Sequence, residues 1–272
     1  MARARSVRVV KSEASLELDM NPVPPVLSQT ELAVSVIRDR IIDLTLEPGS
    51  KLDERLLKER FKLGRTPARE ALNRLSTEGF VKIERNKGAF VAPLEIGHVR
   101  QFFDAYFASE RMCGYYCRTG QTGLLEDLVA IEATYEKYVD AREYLGITGA
   151  NAAFHTRISE GCENEHIQEF GARLHQQARR VSHVIYCLEQ VRDDERVRLR
   201  RKIRQHHRAI IEAIEAGDNV ELIQQLTTHA QLFHDRIMRV IRDAKGLDLS
   251  FVRPVAGRGR GSDTDRLPNW TP

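Results

Sequence analysis

Two sets of residues have types and spacings that could do chemistry. Arg65 and Arg69 are four residues apart with Thr66 beside the first, so on a helix they project from one face. A guanidinium can give two parallel hydrogen bonds to guanine O6 and N7, each good pair discriminating between bases by ~1–3 kcal/mol. Farther along, Asn151 and His155 share a face at the same spacing, and His229 lies twenty-two residues beyond His207, across Gly217-Asp218. Two antiparallel helices joined at that turn would bring the last two imidazoles to similar height. Imidazoles converging from three helices suit a divalent transition metal such as zinc. From spacing alone, histidines scattered through a helical bundle are more often packed or hydrogen-bonded than ligands. An isolated Arg-x-x-x-Arg pair is likewise more often a solvated face.

The elements around the arginines change that weighting. Leu32, Val34, Ile37, Ile41 and Ile42 recur at helical spacing and stop before Glu47-Pro48-Gly49. A second short helix is expected over 54–61. A third starts near Thr66-Pro67, where proline fits a first turn, and ends at Gly79, with Ala71, Leu72 and Leu75 pointing inward. Residues 80–84 and 89–91 read as two strands around the turn Arg85-Asn86-Lys87-Gly88. Three short helices and a basic hairpin make a winged helix-turn-helix, with the third helix sized for a major groove. Arg55, one helix earlier, can clamp backbone phosphate. The hairpin tip, with Arg85, Asn86, Lys87 and Gly88, can slide into a minor groove or along phosphate.

From about residue 96 the pattern turns to long amphipathic helices near 96–118, 122–145, 150–161, 164–190, 194–216 and 219–244, with breaks at Gly120, Gly146, Gly161 and Gly217-Asp218. The fold class is therefore mainly α: a winged helix-turn-helix at 28–93 and an all-α bundle of about six helices at 96–245, with Pro93 at the boundary. Residues 1–27, which include Asn21-Pro-Val-Pro-Pro25, and residues 246–272 read as flexible basic tails.

Bulk properties exclude other classes. The 272 residues suffice for two cores. Charged residues make up 30% and hydrophobic ones 42%, mean hydropathy is −0.42, and no apolar run is long enough to span a bilayer. With no secretory signal, a cytoplasmic chain without a membrane partner is expected. Cys113, Cys117, Cys162 and Cys187 form no CxxC pair and read as reduced thiols, mostly buried. The net charge of +3 suits a nucleic-acid partner without requiring one.

The run LKERFKLGRTPAREAL (57–72), with RLSTEGFV (74–81), KGAFV (87–91) and EPGSKL (47–52), resembles the winged helix of the GntR regulators. The resemblance implies that Arg55, Arg65, Thr66, Arg69 and the wing residues near Lys87-Gly88 contact double-stranded operator DNA. Gly64 departs from it, standing where serine or threonine is usual and so removing a helix cap. Residues 98–235 are similar, more loosely, to the FCD ligand-binding domain of the FadR-type subfamily. That likeness implies a small-molecule effector and a divalent metal held by an aspartate and three histidines, here His155, His207 and His229. Asn151 occupies the aspartate position and brings no charge, which predicts weaker metal binding. Tyr106 stands where many relatives carry arginine, whereas Glu110 is retained; both are expected at the effector site. His175, His206 and His234 are read as structural or surface histidines, and Asp104 as exposed.

These features predict a homodimeric transcription regulator, since one short recognition helix reads few base pairs and two-fold symmetry matches an inverted-repeat operator. One alternative is a metal-dependent enzyme using the three-histidine pocket, for which no H-E-x-x-H, nucleophile elbow or phosphate loop is present. The other is a dimeric DNA binder that responds to no ligand.

Overall fold

The computed structural model describes residues 28–94, 96–188 and 193–243. The expected tails at 1–27 and 246–272 lie outside the described residues. The first helix, α1 (Gln29–Ile42), begins with a reciprocal cap. The Ser28 hydroxyl accepts from the Glu31 amide, and the Glu31 carboxylate accepts from the Ser28 amide at 2.8 Å. Helix α2 (Glu54–Phe61) is capped by the Asp53 carboxylate, which accepts from the Leu56 amide at 2.7 Å. Lys62 then takes a left-handed conformation, which turns the chain sharply into α3 (Arg65–Thr77). As expected from Gly64, α3 begins without a side-chain cap.

The wing pairs β2 (Val81–Glu84) with β3 (Gly88–Val91), Val81 opposite Val91 and Ile83 opposite Ala89. Asn86 and Gly88 both carry positive φ at the tip, a conformation that asparagine and glycine tolerate best. A third strand, β1 (Lys51–Leu52), joins the outer edge of β3, so the hairpin expected from the sequence is a three-stranded sheet in the order β1-β3-β2. Two residues are too few to show alternation. Gly49, at φ +77°, makes the turn that lets its amide reach the Val91 carbonyl. Ile37, Ile41, Leu57, Ala71, Leu75, Phe80 and Val91 close a core beneath the three helices.

The remaining helices are α4 (Ile96–Tyr116), α5 (Thr122–Ala141), α6 (Tyr144–Glu160), α7 (Glu165–Leu188), α8 (Asp193–Ala216) and α9 (Asn219–Asp243). They form a bundle in which α4 lies against α9 and α7, α6 against α5 and α7, and α8 against α9 and α5. One expected break is misplaced. Helix α5 ends at Arg142, which is left-handed, and α6 has already begun when the chain reaches Gly146. That glycine is needed for packing: a Cβ there would stand 2.3 Å from the Tyr138 ring.

Gly114 plays the same part between α4 and α9, where a Cβ would lie 2.7 Å from Ile223 Cα. Alanine at this position gains ~1 kcal/mol of helix propensity. Forcing two backbones apart costs about 1–3 kcal/mol or more, so the clash prevails. Gly114→Ala should lower the urea midpoint of unfolding; an unchanged or raised midpoint would show that the two helices are not held this closely.

Candidate functional sites

On α3, Arg65, Thr66, Arg69 and Asn73 line one shallow recess on the exposed face, opposite the buried Ala68, Leu72 and Leu75. Arg65 rests on Glu54 at 2.7 Å, and Arg55 on Glu59 at 3.4 Å. Such exposed pairs are worth little, so both guanidiniums can swing to another acceptor. Asn73, absent from the sequence expectation, falls one turn beyond Arg69; an amide there can read adenine. Its signal was only the same helical spacing carried a step farther. Arg85, Asn86, Lys87 and Gly88 are exposed at the wing tip, with Lys87 paired to Glu84 at 3.0 Å.

The second site is the buried centre of the bundle. His155 from α6, His207 from α8 and His229 from α9 come together, their ligand atoms within 4.8 Å of one another. The ring centroids of His155 and His229 are 4.9 Å apart, and those of His207 and His229 are 4.8 Å apart. His207 is held from outside by Glu132, whose carboxylate lies 2.6 Å from its Nδ1. This fixes the proton on Nδ1 and leaves Nε2, which has no hydrogen-bond partner, turned toward the cluster. The three-histidine set can hold a divalent cation. Asn151 is half-buried and lines a cavity of about 50 Å³ beside His229, together with Tyr106, Ser182, Tyr186 and Arg236.

Tyr106 does reach this cavity, packed edge-on against His175 at 5.5 Å and buried so completely that its hydroxyl resists ionisation. Glu110 is not among the lining residues. It lies deeper, with His155 Nδ1 at 3.2 Å and His175 Nε2 at 3.5 Å. Burial raises its carboxyl pKa, but the two imidazoles and the Tyr106 hydroxyl outweigh that and leave it below the ordinary value. His175, read from the sequence as structural or surface, is buried among these groups at 1% exposure. The cavity also has a cation that sequence reasoning missed: Arg236 stacks over the Tyr186 ring at 4.0 Å. In the run Arg236-Ile-Met-Arg-Val-Ile-Arg242 nothing marks one arginine as buried.

One helix joins the bundle site to the winged-helix head. Helix α7 carries His175 in the cluster and Ala178, Ser182 and Tyr186 on the cavity wall. Between them it carries Gln177, which donates to the Glu78 carbonyl at 2.5 Å, Arg179, which pairs with Asp39 at 2.8 Å, and Arg180, which donates to the Ala92 carbonyl at 2.6 Å. Burial lowers the Arg180 guanidinium pKa to about 10, still charged at neutral pH. Leu44, in the turn after α1, packs into the bundle with Leu94, Val99 and Val181.

A winged helix-turn-helix with an arginine-bearing exposed face, joined to a helical bundle with a largely apolar cavity beside buried histidines, defines a ligand-responsive DNA-binding regulator. Residues 29–91 match the family described as bacterial regulatory proteins of the gntR family, and residues 110–232 match the FCD domain. The chain belongs to the GntR family of transcription regulators, with an effector-binding FCD domain. It is 27% identical over 214 residues to the Nta operon transcriptional regulator of Aminobacter aminovorans, covering 72% of this chain and 89% of that protein. It is also 27% identical over 222 residues to the gluconate operon transcriptional repressor of Bacillus subtilis, covering 78% and 87%. The solved structure of E. coli McbR/YncC shares the fold, with a TM-score of 0.66 at 17% identity over 80% of this chain and all of that one. No helix among the described residues is long and apolar enough to cross a membrane.

Burial, with the charge of His155 a smaller contribution, lowers the His175 pKa to about 4 against the pull of Glu110. A histidine held neutral in this way contributes stability that is full above its unfolded value near 6.5 and is lost as pH falls toward 4. Between pH 6.5 and 4.5 the metal-free protein should therefore lose ~1–3 kcal/mol more stability than His175→Gln. Equal losses in urea titrations of the two proteins would show that His175 does not titrate from a buried neutral state.

Proposed function

We propose that this chain is a cytoplasmic, homodimeric regulator whose affinity for operator DNA is set by a small molecule entering the cavity beneath α7, α8 and α9. The observation that carries this reading is α7, which lines the cavity and grips the DNA-reading head within three consecutive turns. A ligand that prefers one placement of α7 shifts the population of head orientations, and with it the spacing of two heads on an inverted repeat. Arg65, Thr66, Arg69 and Asn73 read bases and phosphates in the major groove, Arg55 holds backbone, and Arg85, Asn86, Lys87 and Gly88 contact an adjacent groove. The bundle spanning 96–245 acts as the sensor and residues 28–93 as the reader.

A divalent cation held by His155, His207 and His229, with the Asn151 amide as a neutral fourth ligand, would supply a fixed positive charge at the cavity floor. Arg236 adds a second cation to the same wall, which compensates for tyrosine at position 106 and favours an anionic effector. Glu110, the general base that an enzymatic use of these histidines would require, is already engaged by two imidazoles. This supports a sensing rather than a catalytic role.

The reading is tested by titrating promoter DNA from beside the protein's own gene, with and without candidate metabolites, over a salt series. Sequence-selective binding that shifts with one metabolite is expected. Salt-dominated binding that ignores both sequence and ligand would end this reading. Arg65→Ala should weaken specific binding by ~1–3 kcal/mol while changing non-specific binding little; equal losses on both DNAs would assign Arg65 to phosphate. Asn151→Asp adds a charged ligand and should tighten zinc binding by about tenfold, or ~1.4 kcal/mol. Unchanged zinc affinity would remove position 151 from the ligand set.

A further inference from the structure

The bundle centre holds a second convergence of ligand atoms. Glu110, His155 and His175 each turn one toward a common point, all within 4.8 Å of one another, and all three residues are buried. The carboxylate lies 3.2 Å from His155 Nδ1 and 3.5 Å from His175 Nε2. Ligands about 2.0–2.1 Å from a tetrahedral zinc stand roughly 3.4 Å apart, so both separations already fit an ion between them. Three of the four facing atoms are left without a hydrogen bond. Glu110 Oε1, His155 Nδ1 and His175 Nε2 have no hydrogen-bond partner, although each is shielded from water. Buried polar atoms left in this state are expensive, and a cation is a partner that satisfies all of them together.

We infer that Glu110, His155 and His175 form a cation seat of their own, next to the three-histidine set, and that a divalent ion prefers it in this chain. The inference rests on the reading that the buried histidines take a divalent cation at all. Its basis is charge. With asparagine at 151, the three-histidine set offers only neutral ligands, so an ion there keeps both its charges in a poorly hydrated interior. The other seat brings a carboxylate. His155 is common to both, and an imidazole that keeps its remaining proton offers a single lone pair, so the seats are alternatives for one ion. The choice has a mechanical consequence. Ligation by His175 ties the ion to α7, two residues from Gln177 and four from Arg179, which hold the head.

Zinc titration of the chelator-stripped full chain, against a competing chromophoric chelator, separates the seats. One ion per chain is expected. His175→Ala and Glu110→Gln should each lower zinc affinity tenfold or more, with folding of each confirmed by circular dichroism. In the Asn151→Asp background, where the three-histidine set regains a carboxylate, the same His175→Ala change should cost less than twofold. A twofold or smaller effect of His175→Ala in the otherwise unaltered chain, with a tenfold loss in His207→Ala, would overturn this seat and leave the three-histidine reading standing. Equal losses from His175→Ala in both backgrounds would also overturn it, since His175 would then act on the fold rather than on the ion. No zinc binding by the unaltered chain would overturn both readings.

Discussion

Glu110, His155, His175, His207 and His229 come from α4, α6, α7, α8 and α9 and are all buried at the centre of the bundle. The placing of those helices answers to this constraint. Charged imidazoles would repel one another at ring separations near 5 Å, and burial already disfavours the charged form of His175, His207 and His229. Packing therefore supplies flat, apolar surfaces for neutral rings. Phe154 stacks on His207 at 4.5 Å, Tyr106 meets His175 edge-on, and Tyr135 closes over His207. Glu132 fixes the His207 tautomer from the rim. Close helix contacts at Gly114 and Gly146 bring the bearing helices near enough for rings on opposite sides to meet.

The same constraint makes the bundle responsive. A cluster of buried imidazoles around one buried carboxylate, with several polar atoms left unpaired, binds anything that supplies charge or hydrogen bonds there preferentially in the folded arrangement. Helix α7 is placed to pass that preference on. Beside the apolar packing of Leu44 on Val181, its polar contacts with the head are directional, made by Gln177, Arg179 and Arg180 to Glu78, Asp39 and Ala92, and Arg38 braces Glu78 from the head side at 2.6 Å. The bonds from Gln177 and Arg180 end on backbone carbonyls, at the C-terminus of α3 and just after β3. They report the position of the reading helix and of the wing directly.

Much of this was legible in the sequence, and the reason is local. The reading head is specified by short-range signals: the Ser28 and Asp53 caps, Gly49, Asn86 and Gly88 at positions needing unusual φ, and apolar residues at a helical period. Arg65 and Arg69 were identifiable because their helix is short and its inner face unambiguous. The bundle was legible as helices, but not as contacts. His155, His207 and His229 could be singled out by spacing and likeness. His175 lies beside Leu174 in the run EHIQEFGARLHQQARR (165–180), and nothing local distinguishes it from His166, which is exposed. Arg236 and Glu132 escaped notice for the same reason: which face of a long helix is buried depends on neighbours distant in the chain, as with Glu132 and His207, seventy-five residues apart.

The two departures from the family pattern, Tyr106 and Asn151, have a common physical meaning in this setting. Against the pattern that the sequence resembles, each would remove a formal charge, one positive and one negative. Two other charged groups lie nearby. Arg236 brings a guanidinium to the cavity wall from α9, held over Tyr186, and Glu110 brings a carboxylate to the cluster from α4. Positive charge thus lies on the cavity wall, and negative charge in the cluster beside His155 and His175. An anionic ligand drawn to the first and a cation drawn to the second would both lie against α7, which carries Tyr186 on the cavity wall and His175 in the cluster.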